Sequence, residues 1–371
     1  MGEQQNENLH LRNAEKIADN ALPINSIKLQ SDNPFTWASG FKMPIYNDNR
    51  MSLGNFEHRY DVRKAFVDNI NRSEVDFDLI GGTSTSGVAP AVSVANELGK
   101  NLVILLKNTP YVFDINLVNY YANNLKDDMD FDFDAIATTF PGAMPIGVTI
   151  ADSLKLPFMY VRPNEKQHGL GNMVEGIPKE GQKVMLLDYP LTQDYGSEAK
   201  LTLENMGMEV ISMPLRGFKF GANNNILGKK IGIIEDLVST GGSFLKEAQR
   251  YRELGTISEE AFAIFSYGLD VAKKKCESAK ITMTPSLTYD TVLERAVESG
   301  YINSEQQKVL AVWRQNPFDW EVIYGHETFE NNKQKKIKKG MPYDKDVNVF
   351  KERLLKQGHD LSYMVKDKRG N

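Results

Sequence analysis

The stretch IGIIEDLVSTGGS, residues Ile231–Ser243, runs from an apolar segment into two adjacent carboxylates and then into hydroxyl and glycine residues. An apolar run bounded by turn residues predicts a buried strand, and the helical pattern beginning at Phe244 completes a strand–turn–helix unit. Small turn residues let backbone N–H groups close on a phosphate, and the helix start adds its positive dipole end. Glu235 and Asp236 would repel a phosphate but can accept hydrogen bonds from vicinal ribose hydroxyls. An ordinary capped turn is the plainer interpretation, but the adjacent acids favour a sugar-phosphate site.

The composition is that of a soluble globular protein. The chain has 371 residues, enough for two domains, with 41% hydrophobic and 25% charged residues. A net charge of −5 argues against a general nucleic-acid binder. The single cysteine, Cys276, excludes an intramolecular disulfide and a multi-thiolate metal site. The polar N-terminus and the lack of a long apolar run predict neither a signal peptide nor a membrane span, so we expect a cytoplasmic protein.

A second glycine-rich turn lies earlier in the chain. A predicted strand at Phe77–Ile80 opens into the turn Gly81–Gly87, followed by a predicted helix over Val88–Leu98 and a strand over Leu102–Leu106. Strand, turn, helix and strand in this order predict a βαβ unit of a parallel sheet. The turn then lies at the carboxyl end of its strand, where open α/β sheets bind ligands.

Both units recur in weakened form. The segment Asp76–Asp78 is echoed by Asp132–Asp134, and the match continues without a gap to a predicted strand at Phe158–Arg162. This copy has the bulkier turn Thr138–Ala143, which is a poorer anion cradle. Residues 183–197 repeat the acid motif around Asp188 without the adjacent acids and the paired glycines. The second echo stays open, because any two strand–helix units resemble each other.

Three further segments each allow two interpretations. Residues 162–172 combine cationic side chains with glycines, which fits a solvated basic loop or a mobile loop that brings cations over a polyphosphate. Asn33–Tyr46 is an irregular packed loop that either covers the core or presents the Lys42 ammonium to an anion. The lysine-rich residues from about Gly325 predict a solvated tail rather than an RNA-binding patch.

Together these motifs resemble the orotate phosphoribosyltransferases, a type I phosphoribosyltransferase family. Asn33–Arg50 resembles the family's orotate-side segment, Gly82–Gly87 its pyrophosphate loop, Arg162–Gly176 its mobile catalytic loop, and Ile233–Ser243 its signature for phosphoribosyl pyrophosphate (PRPP). Tyr267–Leu269, Asp290 and Trp313-Arg314 resemble its C-terminal part, and the resemblance covers about residues 10–106, 132–188 and 229–320. It implies an α/β fold of the type I phosphoribosyltransferase class, with a parallel twisted sheet flanked by helices and a second, degenerate copy inserted.

The resemblance implies that orotate and PRPP give orotidine 5′-monophosphate and pyrophosphate, with Mg²⁺ carried on PRPP and no metal ligand from protein side chains. The implied catalytic residues are Arg162, Lys166, His168 and Asp236. The residues implied to bind PRPP are Glu235, Asp236, Leu237, Val238, Ser239, Thr240, Gly241, Gly242, Ser243, Thr85, Ser86 and Gly87. Orotate would meet Phe41, Lys42 and Ser239. Pro163 is a departure, because the family often has a second basic residue after the loop arginine.

Two other functions fit the same motifs. A phosphoribosyltransferase for another base would share the PRPP signature, but its segment Phe35–Tyr46 should not fit the orotate carboxylate. A non-catalytic PRPP-binding regulator could lose the catalytic loop, and the presence of Lys166 and His168 speaks against it.

The order of the motifs predicts how the two copies are arranged. A tandem fusion would run turn, acids, turn, acids, whereas here the better turn comes first and the better acid motif last. We therefore predict an outer domain of residues 1–106 and 229–325, an inserted degenerate domain of residues 107–228 that carries the catalytic loop, and a polar extension of residues 326–371.

The same resemblance bears on assembly. In family dimers the mobile loop reaches the neighbouring active site, so we expect a homodimer or an internal pseudo-dimer with one competent site per chain, and no nucleic-acid or membrane partner. Whether the Gly82 or the Thr138 turn faces pyrophosphate stays open.

Overall fold

A computed structural model of the protein describes residues 2–37, 39–106, 109–127, 132–162, 173–189, 195–215 and 225–359. The strands in these ranges are β1 (Ile27–Leu29), β2 (Phe35–Thr36), β3 (Lys42–Met43), β4 (Ile45–Asn47), β5 (Leu79–Gly82), β6 (Asn101–Leu106), β7 (Thr109–Phe113), β8 (Ala135–Thr139), β9 (Phe158–Val161), β10 (Val174–Glu175), β11 (Lys183–Asp188), β12 (Glu209–Pro214), β13 (Lys230–Val238), β14 (Ile257–Ser266) and β15 (Thr282–Thr288). The helices are α1 (Gly2–Ala21), α2 (Phe56–Arg72), α3 (Val88–Leu98), α4 (Ile115–Asp127), α5 (Met144–Leu154), α6 (Tyr195–Asn205), α7 (Gly242–Glu253), α8 (Asp270–Ala279), α9 (Tyr289–Glu298), α10 (Ser304–Gln315), α11 (Trp320–Ile323), α12 (Phe329–Lys338) and α13 (Val347–Lys356), with a 3₁₀ helix at Asn49–Gly54.

The chain divides into two compact units. The larger unit contains Met1–Ser26 and Asp48–Arg295, and the smaller one contains Ile27–Asn47 and Ala296–Asn371. None of the helices in the described ranges combines the length and the apolar character that a bilayer crossing requires.

The larger unit contains a six-stranded sheet in the order β15-β14-β13-β5-β6-β7. Neighbouring strands are parallel except β6 and β7, which form an antiparallel pair. The first half of β13 is apolar, and Ile231, Ile233 and Ile234 are fully buried, as expected for a parallel strand covered on both faces. Because β13 pairs with β5, Glu235 and the turn after Gly82 share one edge of the sheet.

A five-stranded sheet in the same unit repeats this arrangement. Its order is β10-β9-β8-β11-β12, so β8, β9 and β11 occupy the places of β5, β6 and β13. The register repeats too. Ile80 lies opposite Leu102 in one sheet and Ile136 lies opposite Phe158 in the other. The predicted α/β fold with a second copy of the core is therefore confirmed.

The helices of the two copies keep the same spacing. Helix α5 (Met144–Leu154) begins 56 positions after the start of α3 (Val88–Leu98) and ends 56 positions after its end. Both are followed by a residue in the left-handed conformation, Gly99 at φ 63° and Lys155 at φ 56°. A lysine in this region is uncommon, so the two copies share this backbone conformation although one has glycine and the other lysine.

Helices α3 and α5 form the pairing expected of a two-fold interface. The Ser93 hydroxyl donates to Asp152 Oδ2 at 2.6 Å, and Asn96 Nδ2 donates to Thr149 Oγ1 at 2.8 Å. In the repeat, Ser93 corresponds to Thr149 and Asn96 to Asp152. Exchanging the two copies therefore turns one hydrogen-bonded pair of positions into the other. This is the pattern of an isologous contact.

The strand pairings bear on where the predicted insertion of residues 107–228 begins. Strand β7 lies within that range, yet it pairs with β6 of the six-stranded sheet. Strands β8, β9, β10, β11 and β12, by contrast, pair only with one another in the described ranges. The predicted domain boundaries stay a prediction, and these pairings favour an inserted segment that begins after β7.

The smaller unit contains two short antiparallel pairs, β1 with β4 and β2 with β3. The prediction of a solvated tail is wrong for the C-terminal residues that the structure describes, up to His359, because helices α12 and α13 pack within this unit. Lys336 is buried and pairs with Asp319, and Lys335 Nζ lies 3.0 Å from Glu321 Oε1. Phe350 and Leu354 join a small apolar cluster. Lysine-rich composition concealed these contacts, because a long lysine stem can be buried while its ammonium is paired.

Candidate functional site

The two adjacent acids lie at the carboxyl end of β13. Glu235 is only 5% exposed, whereas Asp236 is half-buried. Glu235 Oε1 accepts hydrogen bonds from Thr83 Oγ1 at 3.0 Å and from the Asp236 backbone N–H at 2.8 Å. Burial, and then the neighbouring Asp236 charge, raise the pKa of Glu235 well above its usual range. The site therefore holds one fixed, deeply buried acid and one acid accessible to a ligand.

The raised pKa of Glu235 predicts a pH-dependent stability. The native state holds a proton there more tightly than the unfolded chain, so this contribution is complete below the ordinary pKa of 4.5 and is lost as pH rises through the raised native pKa. Glu235→Gln should remove that loss. It is expected to unfold at a higher temperature than wild type at about pH 8, and to have lower activity.

Thermal unfolding measured across the neutral range tests this expectation. Glu209→Gln, an exposed carboxylate at the start of β12, is the matched control and should follow wild type. A Glu235→Gln variant with the pH profile of wild type would contradict the assignment.

The turn after β5 is held closely against β13. A Cβ on Gly87 would lie 2.3 Å from Thr83 Oγ1 and 2.4 Å from the Ile234 carbonyl oxygen. The Gly87 N–H donates to the Thr83 carbonyl at 3.0 Å. The side chains of Thr85 and Ser86 are half-buried. Glycine is needed at residue 87 for space, since its φ of −76° suits any residue.

The turn after β13 leads into α7. Gly241 has a φ of 76°, a conformation that favours glycine. Ser239 and Thr240 are half-buried, while Gly242 and Ser243 are exposed. The first N–H groups of a helix lack intrahelical partners and can bind an anion. Leu237 is half-buried and Val238 is 1% exposed, so the Val238 side chain is not accessible to a ligand.

Arg162 directly follows β9 of the second copy. Its backbone N–H donates to the Met173 carbonyl at 2.9 Å, and its Nη1 donates to Glu175 Oε1 at 3.1 Å. The Arg162 side chain is 20% exposed. Lys166 and His168 lie outside the described residues.

The 3₁₀ helix contributes two residues that sequence analysis did not single out. Asn49 is buried, and its Nδ2 donates to the Asp236 carbonyl oxygen at 2.5 Å. Arg50 pairs with Glu175, the partner of Arg162. Both belong to the stretch Asn33–Arg50 that carried the family resemblance, and this was the only signal that could have pointed to them.

Two predicted orotate contacts, Phe41 and Lys42, belong to the smaller unit. Phe41 is fully buried and packs edge-on against Phe318 at a centroid distance of 5.2 Å. The Lys42 backbone N–H donates to Glu321 Oε2 at 2.6 Å. Their role toward orotate stays a prediction.

The second copy has its own hydrogen bonds at the turn that follows β8. Thr139 Oγ1 donates to Asp188 Oδ1 at 3.0 Å, as Thr83 does to Glu235. Tyr195, at the start of α6, accepts from the Phe140 N–H at 3.2 Å and donates to the Val161 carbonyl at 2.7 Å. Burial raises the pKa of Tyr195 to about 12. The N–H group of this turn is thus already bonded to a neutral phenol.

Within the described ranges, no group of three or more histidine, cysteine, aspartate or glutamate side chains converges as a metal site would require. Oxygen atoms that could bind a metal ion at the carboxyl end of β13 are those of the Asp236 carboxylate and of the hydroxyls in the two turns.

The chain is similar in sequence to orotate phosphoribosyltransferases, although no family model matches it. An orotate phosphoribosyltransferase of Phocaeicola vulgatus is 30% identical over 313 residues, covering 84% of this chain and 99% of the relative. One from Listeria innocua is 27% identical over 305 residues, covering 82% of this chain and 97% of the relative.

Solved structures superpose only loosely. The orotate phosphoribosyltransferase of Francisella tularensis has a TM-score of 0.39 and 12% identity, over 80% of this chain and 95% of that one. The UMP synthase of Leishmania donovani has a TM-score of 0.30 and 15% identity, over 81% of this chain and 42% of that one.

Proposed function

The chain belongs to the orotate phosphoribosyltransferase family, and we propose that it transfers the phosphoribosyl group of PRPP to orotate. The products are orotidine 5′-monophosphate and pyrophosphate, a step of pyrimidine nucleotide synthesis. The observation that carries the proposal is the complete acid motif Glu235–Ser243, which shares one sheet edge with the tight turn Gly82–Gly87.

Each part of this edge suits one part of PRPP. Asp236 is accessible and would accept hydrogen bonds from the ribose hydroxyls, while Glu235, fixed by Thr83, supports it. The 5′-phosphate would bind the N–H groups and hydroxyls of Ser239–Ser243 at the start of α7, with Leu237 and Val238 leading into that turn. Thr85, Ser86 and Gly87 would face the pyrophosphate. Orotate would lie against Ser239. The family resemblance also assigns Phe41 and Lys42 to orotate.

The reaction replaces one bond at the anomeric carbon. The C1′–O bond to pyrophosphate breaks with its electron pair leaving on oxygen. Orotate N1 forms the new bond to C1′, and its N1–H proton is released to the departing pyrophosphate or to solvent. Because C1′ becomes oxocarbenium-like, stabilisation of the departing charge and exclusion of water carry the catalysis. Arg162, with Lys166 and His168, would supply the positive charge on pyrophosphate, and the Asp236 carboxylate would face the cationic sugar.

Magnesium would enter with PRPP. Hard cations take oxygen ligands, and the hydroxyls and half-buried Asp236 carboxylate at this edge fit such a charge. When bound, Mg²⁺ neutralises part of the pyrophosphate charge, and the protein side chains bind and orient the sugar.

We further propose that one chain forms an internal pseudo-dimer with one competent site. The losses in the two copies are complementary. The first copy keeps the acid motif, but only residues 107–108 join β6 to β7. The second copy keeps Arg162 and the connection of residues 162–173, but has lost the adjacent acids. The isologous contacts of α3 and α5 support this arrangement.

Orotate consumption in the presence of PRPP and Mg²⁺ tests the function. Wild type is expected to turn over orotate, and Lys166→Ala to lower kcat by roughly 10²-fold or more, since charge on the leaving group is then less stabilised. Binding of PRPP without orotate turnover would favour a regulator or a transferase for another base. Unchanged turnover by Lys166→Ala would show that the loop of residues 162–173 is not catalytic.

A further inference from the structure

Glu175 is a buried carboxylate shared by two arginines. It lies at the end of β10 and is 2% exposed. Its Oε1 accepts from Arg162 Nη1 at 3.1 Å and also pairs with Arg50 Nη1. Arg162 comes from the second copy and Arg50 from the first, so Glu175 joins the copies.

Arg50 is itself held firmly. Its Nε donates to Asp48 Oδ1 at 2.6 Å. Burial lowers the pKa of Arg50, but the Asp48 and Glu175 carboxylates outweigh that effect and raise it. Two guanidinium groups thus face two carboxylates, and the formal charges of these four side chains balance. The members of this cluster are fixed, because each charge inside the protein needs its partner.

The cluster is connected directly to the acid motif. Asn49, the residue before Arg50, donates its Nδ2 hydrogen to the Asp236 carbonyl oxygen at 2.5 Å. The 3₁₀ helix therefore contacts both the end of β13 and Glu175.

We propose that Glu175 is a positioning residue that holds the Arg162 guanidinium at a fixed place relative to Asp236, through Arg50 and Asn49. The inference rests on the proposed function, in which Arg162 meets the departing pyrophosphate. A guanidinium has five N–H donors in a planar fork. Glu175 engages one edge of it, and the 20% of the Arg162 side chain that stays exposed leaves other donors for a ligand.

A double-mutant cycle on turnover tests the proposal. Glu175→Gln keeps the size of the side chain but removes the charge that orients Arg162. It is expected to lower kcat by roughly 10- to 100-fold, because small displacements of a charge-stabilising group are costly in rate, and to leave the KM for orotate unchanged. In an Arg162→Ala background the same change should have little further effect, because the residue it positions is gone.

The controls separate positioning from folding. Glu209→Gln, an exposed carboxylate of the second copy, should keep wild-type turnover. If Glu175→Gln does not fold, the cycle is run with Glu175→Asp, which keeps the charge with a shorter reach and should again lose its effect when Arg162 is alanine.

Each outcome decides the question. Equal losses from Glu175→Gln in the wild-type and Arg162→Ala backgrounds would overturn the positioning role, because Glu175 would then act independently of Arg162. A rise in orotate KM with unchanged kcat would overturn it as well. A wild type that turns over no orotate would instead refute the proposed function, so the two failures are distinguishable.

Discussion

An Asp236→Asn variant is expected to lose orotate turnover by roughly 10²–10³-fold in kcat, the scale on which removing one preorganised electrostatic contact acts. Asp236 is the accessible member of the acid pair, since Glu235 is buried and engaged by Thr83. Asparagine has nearly the same shape but no charge to face a cationic sugar. Its amide nitrogen also offers donors where ribose hydroxyls need an acceptor. A half-buried carboxylate contributes little to folding, so unfolding should change by at most about 1 kcal/mol.

The control for this variant is Asp188→Asn. It makes the same chemical change in the second copy, where Asp188 accepts from Thr139 and faces Tyr195. Turnover should be retained there. If Asp236→Asn keeps most of its kcat, the ribose does not bind at the end of β13. If Asp236→Asn and Asp188→Asn each keep about half of the wild-type kcat, turnover is divided between two sites and the proposal of a single competent site is wrong.

The local sequence pattern of apolar and turn residues predicted the repeated helices and strands well. The predicted helix Val88–Leu98 is α3 without a change at either end, and the predicted strand Leu102–Leu106 differs from β6 by one residue. The 56-residue echo also appears as equal strand register in both sheets. These features are decided by hydrophobic periodicity and turn residues within a short window, which a sequence displays directly.

Contacts between distant residues were not predictable in the same way. Arg50 and Glu175 are 125 positions apart, and Asn49 and Asp236 are 187 apart. Apart from the family resemblance of Arg162–Gly176, nothing in the sequence around Glu175 distinguishes it from a solvated glutamate. Its burial is decided by which strand edge meets the 3₁₀ helix after folding, and a single sequence carries no record of that pairing.

The prediction of a solvated C-terminal tail was wrong for a different reason. Helix α12 has few apolar residues, and its pattern of lysines resembles that of a solvated segment. Its stability comes from pairing lysines with carboxylates of neighbouring segments, as Lys336 does with Asp319. Charge composition alone cannot show whether such partners exist.

A Gly87→Ala variant is expected to be both less stable and nearly inactive. The added methyl group would lie 2.3 Å from Thr83 Oγ1 and 2.4 Å from the Ile234 carbonyl oxygen, far inside van der Waals contact. Relieving this overlap must move the turn or β13, at a cost of about 1–3 kcal/mol. Either movement displaces Thr83, which fixes Glu235, so kcat should fall by roughly 10²-fold. Denaturant unfolding and orotate turnover measure the two effects.

The second copy supplies the matched control for Gly87→Ala. The repeat aligns Gly87 with Ala143, a buried residue, so the second copy already carries the methyl group that the first cannot accommodate. Ala143→Gly should change stability by at most about 1 kcal/mol and leave turnover unchanged. Calorimetric titration should give one PRPP per chain in both wild type and Ala143→Gly, because Tyr195 still occupies that turn. A second PRPP in either protein would contradict the single competent site, and full activity of Gly87→Ala would show that pyrophosphate does not depend on the close contact of this turn with β13.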